Sequence, residues 1–263
     1  MLLRIPLAVI LAAIVSLAAT RSRLLTPAGG LAATLVGAIA VTVGWSWAVL
    51  LVVFFALTSA LSAHGVERKL ELTRGVLAKG SHRDAVQVLS NGGVFASAAI
   101  AWAATGSPVW LAAGAGAIAA AAADSWATEI GISRGGRPRS LVSGKTLDRG
   151  ASGGVTLAGS LGGAAGAAVV CGTVLIIGWP LSVAATAFFA GVIGMVIDSV
   201  IGATFQARLV CPACGSETEQ VVHHCGTPTR WARGVRWVDN DVVNILTTLS
   251  GALVAGALFV AYA

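Results

Sequence analysis

The sequence predicts an all-α fold, a polytopic membrane helix bundle, and three observations lead to this fold class. Hydrophobic residues make up 56% of the 263-residue chain and charged residues only 11%, whereas soluble domains carry about 25% charged residues. The apolar residues fall in windows of about membrane-spanning length. The 33 glycines favour close packing, because small residues let membrane helices approach one another. We expect one membrane domain over residues 1–263.

Eight apolar windows are the predicted transmembrane spans, and a count of six to eight is compatible with the short windows among them. They cover residues 5–20, 28–43, 47–63, 86–104, 108–130, 152–177, 181–203 and 241–261. The first window resembles a signal peptide. However, only Arg4 precedes it, while Arg21 and Arg23 follow it, so we expect a retained helix.

Connections that are rich in basic residues alternate along the chain with connections that hold none. The connections after spans one, three, five and seven hold 16 of the 17 Lys and Arg residues, and those after spans two, four and six hold none. By the positive-inside rule the basic connections are cytoplasmic. The sequence thus predicts a multi-pass protein of the cell (inner) membrane, with the lipid bilayer as a partner and an active site facing the cytoplasm. The net charge of +6 follows from this topology, and no nucleic-acid partner is expected.

Polar side chains gather at the predicted cytoplasmic ends of four spans. Carboxylates in a bilayer are costly, so their convergence indicates a functional site. The set comprises Asn91, Asp124, Ser125, Glu129, Asp198, Ser199, Gln206, Asp239, Asn240, Asp241 and Asn244. Oxygen ligands of this kind suit Mg²⁺, and we expect Asp124, Asp198 and Asp241, or Asp239 in its place, to bind it. Glu129 is either a further ligand or the partner of a basic residue, and snorkelling to water is the alternative for Glu129 and Asp239.

A basic, glycine-rich segment lies between spans five and six. Lys145 and Arg149 are predicted phosphate contacts, and residues 150–154 are predicted to open a helix whose free N–H groups bind an anion. The expected contacts in this segment also include Ser143, Gly144, Ser152, Gly153 and Gly154. The segment is not a Walker A motif, because Arg139 stands where that motif requires glycine. The alternative interpretation is that the basic residues only set topology and the glycines only pack helices.

A cysteine and histidine cluster lies in the insert 204–238. Cys211 and Cys214 are followed by His223, His224 and Cys225, which is the spacing of a Cys₃His zinc site. Three thiolates and one imidazole leave no open position, so we expect a structural Zn²⁺, with either histidine as the fourth ligand. A redox pair and free thiols are the alternatives, and a disulfide is not expected in the cytoplasm.

Six motifs occur in order over about residues 83–250: AVQVLSNGG, AADSWATEIG, DRGASGGVTLAGSLGG, IDSVIGATFQ, CPACG with HHCGT, and WVDNDVVN. Together they resemble a family of integral membrane proteins that includes the plastid phytyl-phosphate kinase of vitamin E biosynthesis. The resemblance implies transfer of a phosphoryl group from a nucleoside triphosphate, with CTP as the candidate, to an isoprenyl monophosphate. Carried over by position, it implies functional roles for Asn91, Asp124, Glu129, Ser152, Gly153, Gly154, Asp198, Asp239, Asn240 and Asn244.

The predicted function is therefore that of a prenyl-phosphate kinase using Mg²⁺. We expect Asp124, Glu129, Asp198, Asp239, Asp241 and Lys145 to be catalytic. A lipid-phosphate nucleotidyltransferase or other phosphotransferase is one alternative. An ion-coupled secondary transporter is the other, although transport sites usually lie near the bilayer midplane and the polar residues here are predicted in one leaflet. The sequence leaves a homo-oligomer open.

Overall fold

The computed structural model of the protein describes residues 4–73, 76 and 82–262. Across these residues the chain forms nine helices and five short strands. The helices are α1 (Arg4–Arg21), α2 (Pro27–Val43), α3 (Trp45–Ala63), α4 (Val66–Leu72), α5 (Ala85–Thr105), α6 (Val109–Arg134), α7 (Leu157–Ile176), α8 (Leu181–Thr204) and α9 (Asn240–Tyr262). The strands are β1 (Arg139–Ser140), β2 (Gly154–Val155), β3 (Arg208–Val210), β4 (Glu217–Thr218) and β5 (Arg230–Arg233).

The helices confirm the predicted fold class, a polytopic helical membrane protein. Among the described residues, six helices are long and apolar enough to cross a membrane, namely α3, α5, α6, α7, α8 and α9. Helices α1 and α2 are shorter apolar helices. These eight helices correspond to the eight predicted windows, and the short helix α4 was not predicted. Arg74 and Lys79, two basic residues of the third connection, lie outside the described residues. We call the end of the bundle that carries the Lys- and Arg-rich connections the basic side.

Helix α6 lies at the centre of the bundle, where it packs against α5, α7, α8 and α9. Its residues 112–123 are all buried and all but one are Ala or Gly. A Cβ atom on Gly116 would lie 2.4 Å from the carbonyl oxygen of Gly251 in α9, so the two backbones touch. Small residues at helix crossings thus replace the large side chains of a soluble core, as expected in lipid.

The start of α7 corrects the sequence prediction. Residues 150–154 were expected to open a helix, but α7 begins at Leu157, and the hydroxyl of Thr156 caps it by accepting a hydrogen bond from the Gly159 N–H at 3.0 Å. Before it, β2 pairs with β1 in a two-stranded antiparallel sheet. Gly150 and Gly153 have φ values of 83° and 75°, a left-handed conformation that glycine adopts readily and that interrupts a helix.

The predicted insert connects α8 to α9 and contains a small antiparallel sheet in the order β4-β3-β5. Backbone hydrogen bonds close its base. The Ala207 N–H donates to the Val238 carbonyl at 2.7 Å, and the Val235 N–H donates to the Phe205 carbonyl at 2.8 Å. The two ends of the insert are therefore hydrogen-bonded to each other where the insert leaves the bundle.

Candidate functional site

A cavity of about 180 Å³ opens on the basic side, between α6, α7 and α8 and beneath the glycine-rich segment. We call it the polar cavity. Eight of the predicted site residues line it: Asp124, Arg149, Ser152, Gly153, Gly154, Asp198, Ser199 and Asn240. Thr128, Thr156 and Ser160 add hydroxyl groups that were not among the predicted site residues. Residues from four separate parts of the sequence thus meet in one cavity.

Asp124 of α6 and Asp198 of α8 form the acidic wall of the polar cavity. Their carboxyl groups are close enough to interact by a side-chain hydrogen bond. The Thr247 hydroxyl of α9 donates to Asp198 Oδ2 at 2.8 Å, which fixes the orientation of that carboxyl group. Two adjacent carboxyl groups with further oxygen neighbours are a fitting environment for a hard divalent cation such as Mg²⁺.

The glycine-rich turn forms the opposite wall. Gly153 has a left-handed φ of 75°, and a Cβ atom there would lie 2.4 Å from the backbone nitrogen of Ala203. No side chain can be accommodated at this position without displacing the end of α8. Arg149 reaches back to α6, where its Nη1 donates to the Ile132 carbonyl at 3.3 Å. The turn therefore brings main-chain atoms and one cation to the cavity that the two aspartates line.

A buried ion pair attaches the insert to this turn. Arg208 Nη1 lies 3.1 Å from Glu219 Oε1, with side-chain exposures of 2% and 7%. The same oxygen accepts hydrogen bonds from the Ser152 hydroxyl at 2.5 Å and from Gln206 Nε2 at 3.0 Å. Arg208 also donates to the Ser152 carbonyl. Burial raises the pKa of Glu219, although the hydrogen bond from Ser152 and the charge of Arg208 act in the opposite direction.

Glu219 and Arg208 were missed by the sequence analysis. Both lie in a charged insert where single charged residues normally belong to a solvated face, so the sequence offers no signal for them. Gln206 was among the predicted site residues, and in the structure its amide donates to Glu219. The three residues position Ser152 from the side of the insert.

Two predicted acidic residues have other partners. Glu129 Oε2 forms a salt bridge of 2.6 Å with Lys69 Nζ, which also donates to the carbonyls of Leu61 and Ser62 at 3.0 and 2.7 Å. This geometry favours the alternative in which Glu129 holds a basic residue in place. Asp239 Oδ1 accepts from the Val242 N–H at 3.0 Å, which is the role of a helix N-cap.

The remaining predicted residues occupy three other places. Ser143, Gly144 and Lys145 form an exposed turn next to β1. Asn91 and Ser125 line a second cavity, described below.

The third place is the first two turns of α9. Asp241 is buried there, and Asn244 follows three residues later. Of the three predicted Mg²⁺ ligands, Asp124 and Asp198 line the polar cavity, and Asp241 directly follows Asn240, which lines it as well.

The cysteine cluster is the one group of three or more His, Cys, Asp and Glu side chains in the described residues with metal-binding spacing. The ligand atoms of Cys211, Cys214, His223 and Cys225 all lie within 4.8 Å of one another. Cys225 Sγ is 3.6 Å from Cys211 Sγ, 3.5 Å from Cys214 Sγ and 3.1 Å from His223 Nδ1. Tetrahedral zinc ligands lie about 3.5–3.8 Å apart. The cluster could therefore bind a metal ion such as zinc.

The structure also selects between the two histidines. His223 is buried and belongs to the cluster, whereas the exposed His224 lies beside it with a ring-centroid distance of 4.0 Å and the two ring planes tilted by 53°. Hydrogen bonds with Thr227, and to a smaller extent with His223, lower the pKa of Cys225 to about 5, whereas hydrogen bonds with Cys225 and Cys211 raise the pKa of Cys214 to about 11. A lowered pKa favours the thiolate, which is the form that binds a metal ion.

Comparison with known proteins identifies the family. The family described as "Integral membrane protein DUF92" matches residues 10–252. This chain belongs to the DUF92 family. It is 31% identical over 272 residues to "Protein PGR" of Arabidopsis thaliana, covering 94% of this chain and 93% of that protein. It is 26% identical over 214 residues to an uncharacterized membrane protein of Methanocaldococcus jannaschii, covering 79% and 85%. No solved structure matches.

The metal site of this DUF92 protein can be tested with the two neighbouring histidines. We expect purified protein to contain about one equivalent of zinc, because the ligand set is complete and closed. His223→Ala should lose most of the metal and His224→Ala should retain it, as measured by inductively coupled plasma mass spectrometry after desalting. Equal zinc contents in the two variants would contradict the assigned ligand set.

Proposed function

We propose that this DUF92 protein is a prenyl-phosphate kinase that transfers a phosphoryl group from a nucleoside triphosphate, with CTP as the first candidate, to an isoprenyl monophosphate. The observation that carries the proposal is the polar cavity, where Asp124 and Asp198 face a glycine-rich turn and Arg149. Phosphoryl transfer requires little covalent chemistry from the protein and depends on positioning and charge stabilisation. A carboxylate pair opposite main chain and a cation supplies both.

Asp124 and Asp198 would hold Mg²⁺, which proteins often bind through one or two carboxylates and the substrate phosphates. When bound, the ion neutralises negative charge on the transferred phosphoryl group. Thr247 keeps the Asp198 carboxyl group in place through its hydrogen bond of 2.8 Å. Asp241, which follows the cavity-lining Asn240 in α9, would be a third candidate ligand.

Arg149 and the turn around Gly150 and Gly153 would contact the phosphates of the two substrates. The Ala151 and Gly154 N–H groups bond to carbonyls within the turn, so the proposed main-chain contacts are the N–H groups of Ser152 and Gly153, in a type of turn that can bind anions. Arg149 adds a fixed positive charge. We assign Lys145 a secondary role, because it lies on the exposed turn and does not line the cavity.

The position of the cavity suits a lipid phosphate. Asp198 lies six residues before the end of α8, or about 9 Å along the helix, so the cavity is close to one membrane boundary. A phosphate monoester is already largely ionised at neutral pH, and no strong general base is needed. The positive-inside rule places this boundary at the cytoplasm, where nucleoside triphosphates are available. Zn²⁺ in the Cys₃His cluster would be structural.

A one-sided cavity argues against the transporter hypothesis. Secondary transporters bind their substrate near the bilayer midplane, between repeats that move relative to each other. Here the acidic pair faces the basic side, and Gly116 and Gly251 bring the backbones of α6 and α9 into direct contact. This packing favours a fixed catalytic wall.

The decisive experiment uses purified protein in nanodiscs with Mg²⁺, geranylgeranyl or phytyl monophosphate, and CTP or ATP labelled at either the γ- or the α-phosphorus. We expect label from the γ-phosphorus, and none from the α-phosphorus, in a prenyl diphosphate. Transfer of α-label into the lipid would show a nucleotidyltransferase. Solute uptake by proteoliposomes, without turnover of any nucleotide, would favour the transporter.

A further inference from the structure

A second and larger cavity lies among the helices α1, α2, α3 and α5, away from α7 and α8. It has a volume of about 310 Å³. Aliphatic and aromatic residues such as Val36, Leu51 and Phe54 form nearly all of its walls. We call it the apolar cavity. Its volume is within the range of small-molecule sites, and such a surface favours a hydrocarbon ligand.

The apolar cavity ends in a polar rim. The rim is formed by Arg83, Gln87, Asn91 and Ser125. The guanidinium of Arg83 is 5.7 Å from the ring centre of Phe55, and its Nη1 donates to the Ser59 hydroxyl at 3.2 Å. A cation and neutral polar groups at one end of an apolar cavity match an amphiphile with an anionic head.

The rim adjoins the polar cavity through α6. Ser125 lines the apolar cavity, and its neighbour Asp124 lines the polar cavity. Successive residues of an α-helix point about 100° apart, so the two cavities border adjacent faces of the same turn of α6. One ligand could place its chain in the first cavity and its head group beside the second.

We propose that the apolar cavity binds the isoprenyl chain of the monophosphate substrate and sets its preferred length. This inference rests on the proposed function, because it assigns the tail of that substrate. The walls extend along α3 from Trp45 to Phe55, which is about 15 Å or half of the hydrocarbon core of a bilayer. This length suits one chain lying along the helices.

The structure indicates which residues limit the chain. Val36 of α2 packs against Gly92 of α5, where a Cβ atom would lie 3.2 Å from Val36 Cγ1. Gly37 is similarly close to Ala12 of α1, at 3.1 Å. Larger side chains inside this cavity should therefore shorten the space available to the chain.

The test blocks the apolar cavity without changing the polar cavity. Ala33→Phe places a ring in the cavity. The matched control is Leu31→Phe, because Leu31 lies two residues away in α2, is 76% exposed and does not line the cavity. We expect Ala33→Phe to lower kcat/KM for geranylgeranyl monophosphate at least about tenfold and to leave dimethylallyl monophosphate within about twofold of wild type. Leu31→Phe should change neither value. Val52→Phe is a second blocking variant in case Ala33→Phe does not fold.

A binding measurement separates this inference from the kinase proposal. Geranylgeranyl monophosphate with a photoreactive diazirine at its chain end should label peptides of α2 and α5, and Ala33→Phe should abolish the labelling. Such labelling without turnover would support the apolar cavity while the kinase proposal fails. Equal loss of activity on long and short substrates in both blocking variants would overturn the assignment. Complete displacement of the probe by phosphatidylglycerol would also overturn it, in favour of a diacyl-lipid site.

Discussion

Replacing Asp124 with Asn should reduce phosphoryl transfer by a factor on the order of 10²–10³. The substitution preserves the shape of the side chain and removes its negative charge, so the pair with Asp198 could no longer hold a divalent cation in the same way. The measurement is the initial rate of γ-label incorporation into prenyl diphosphate at saturating nucleotide. A Mg²⁺ titration of the residual activity should show a higher half-saturating concentration than wild type.

Asp148→Asn is the matched control for this prediction. Asp148 lies in the same glycine-rich segment, but its side chain is 71% exposed and pairs only loosely with Arg137, at 3.7 Å. The same change of charge should leave the rate within about twofold of wild type, because exposed ion pairs contribute little. If Asp124→Asn retained wild-type turnover with an unchanged Mg²⁺ requirement, the acidic wall would not be the metal site.

Replacing Glu219 with Ala should destabilise the insert by about 3–5 kcal/mol, because it leaves the charge of Arg208 buried without its partner. Arg208 is 2% exposed in its side chain, so water cannot take the place of the lost carboxylate. The hydrogen bond to the Ser152 hydroxyl disappears as well. We expect a large decrease in the guanidinium chloride concentration at the midpoint of unfolding of nanodisc-embedded protein. The transition is monitored by tryptophan fluorescence, to which Trp231 and Trp237 of the insert contribute.

The control for this variant lies two residues away. Glu217 pairs with Arg233 at 3.3 Å, with side-chain exposures of 55% and 43%, so Glu217→Ala should cost no more than about 1 kcal/mol. The two variants remove the same side chain from neighbouring positions and differ in burial. Equal shifts of the midpoint would mean that the buried pair does not anchor the insert.

The sequence was sufficient for the helices and insufficient for their contacts. Hydropathy defines membrane spans directly, and for this reason the predicted windows match the helices within a few residues at most ends. The segment at 150–154 was predicted incorrectly because a glycine-rich turn and a glycine-rich helix start have the same composition. Only the left-handed φ of Gly153 and the cap at Thr156 distinguish them.

The candidate site shows the same division. Each aspartate could be recognised alone by the cost of a carboxylate in lipid, but the pairing of Asp124 with Asp198 depends on which helices pack together. The interaction of Glu129 with Lys69 requires α4, which was not predicted. The selection of His223 over His224 depends on burial within the cluster, which two adjacent identical residues do not reveal.

The contact between Gly116 and Gly251 has a consequence for how the protein can change during evolution. An added methyl group at either glycine would meet backbone atoms of the opposite helix within about 2.5 Å, so neither position has a neutral substitution available. The position of α6, which carries Asp124, is therefore fixed by its close packing against α9. We expect adaptation to new lipid substrates to occur in α1, α2 and α3, whose surfaces can vary without displacing α6.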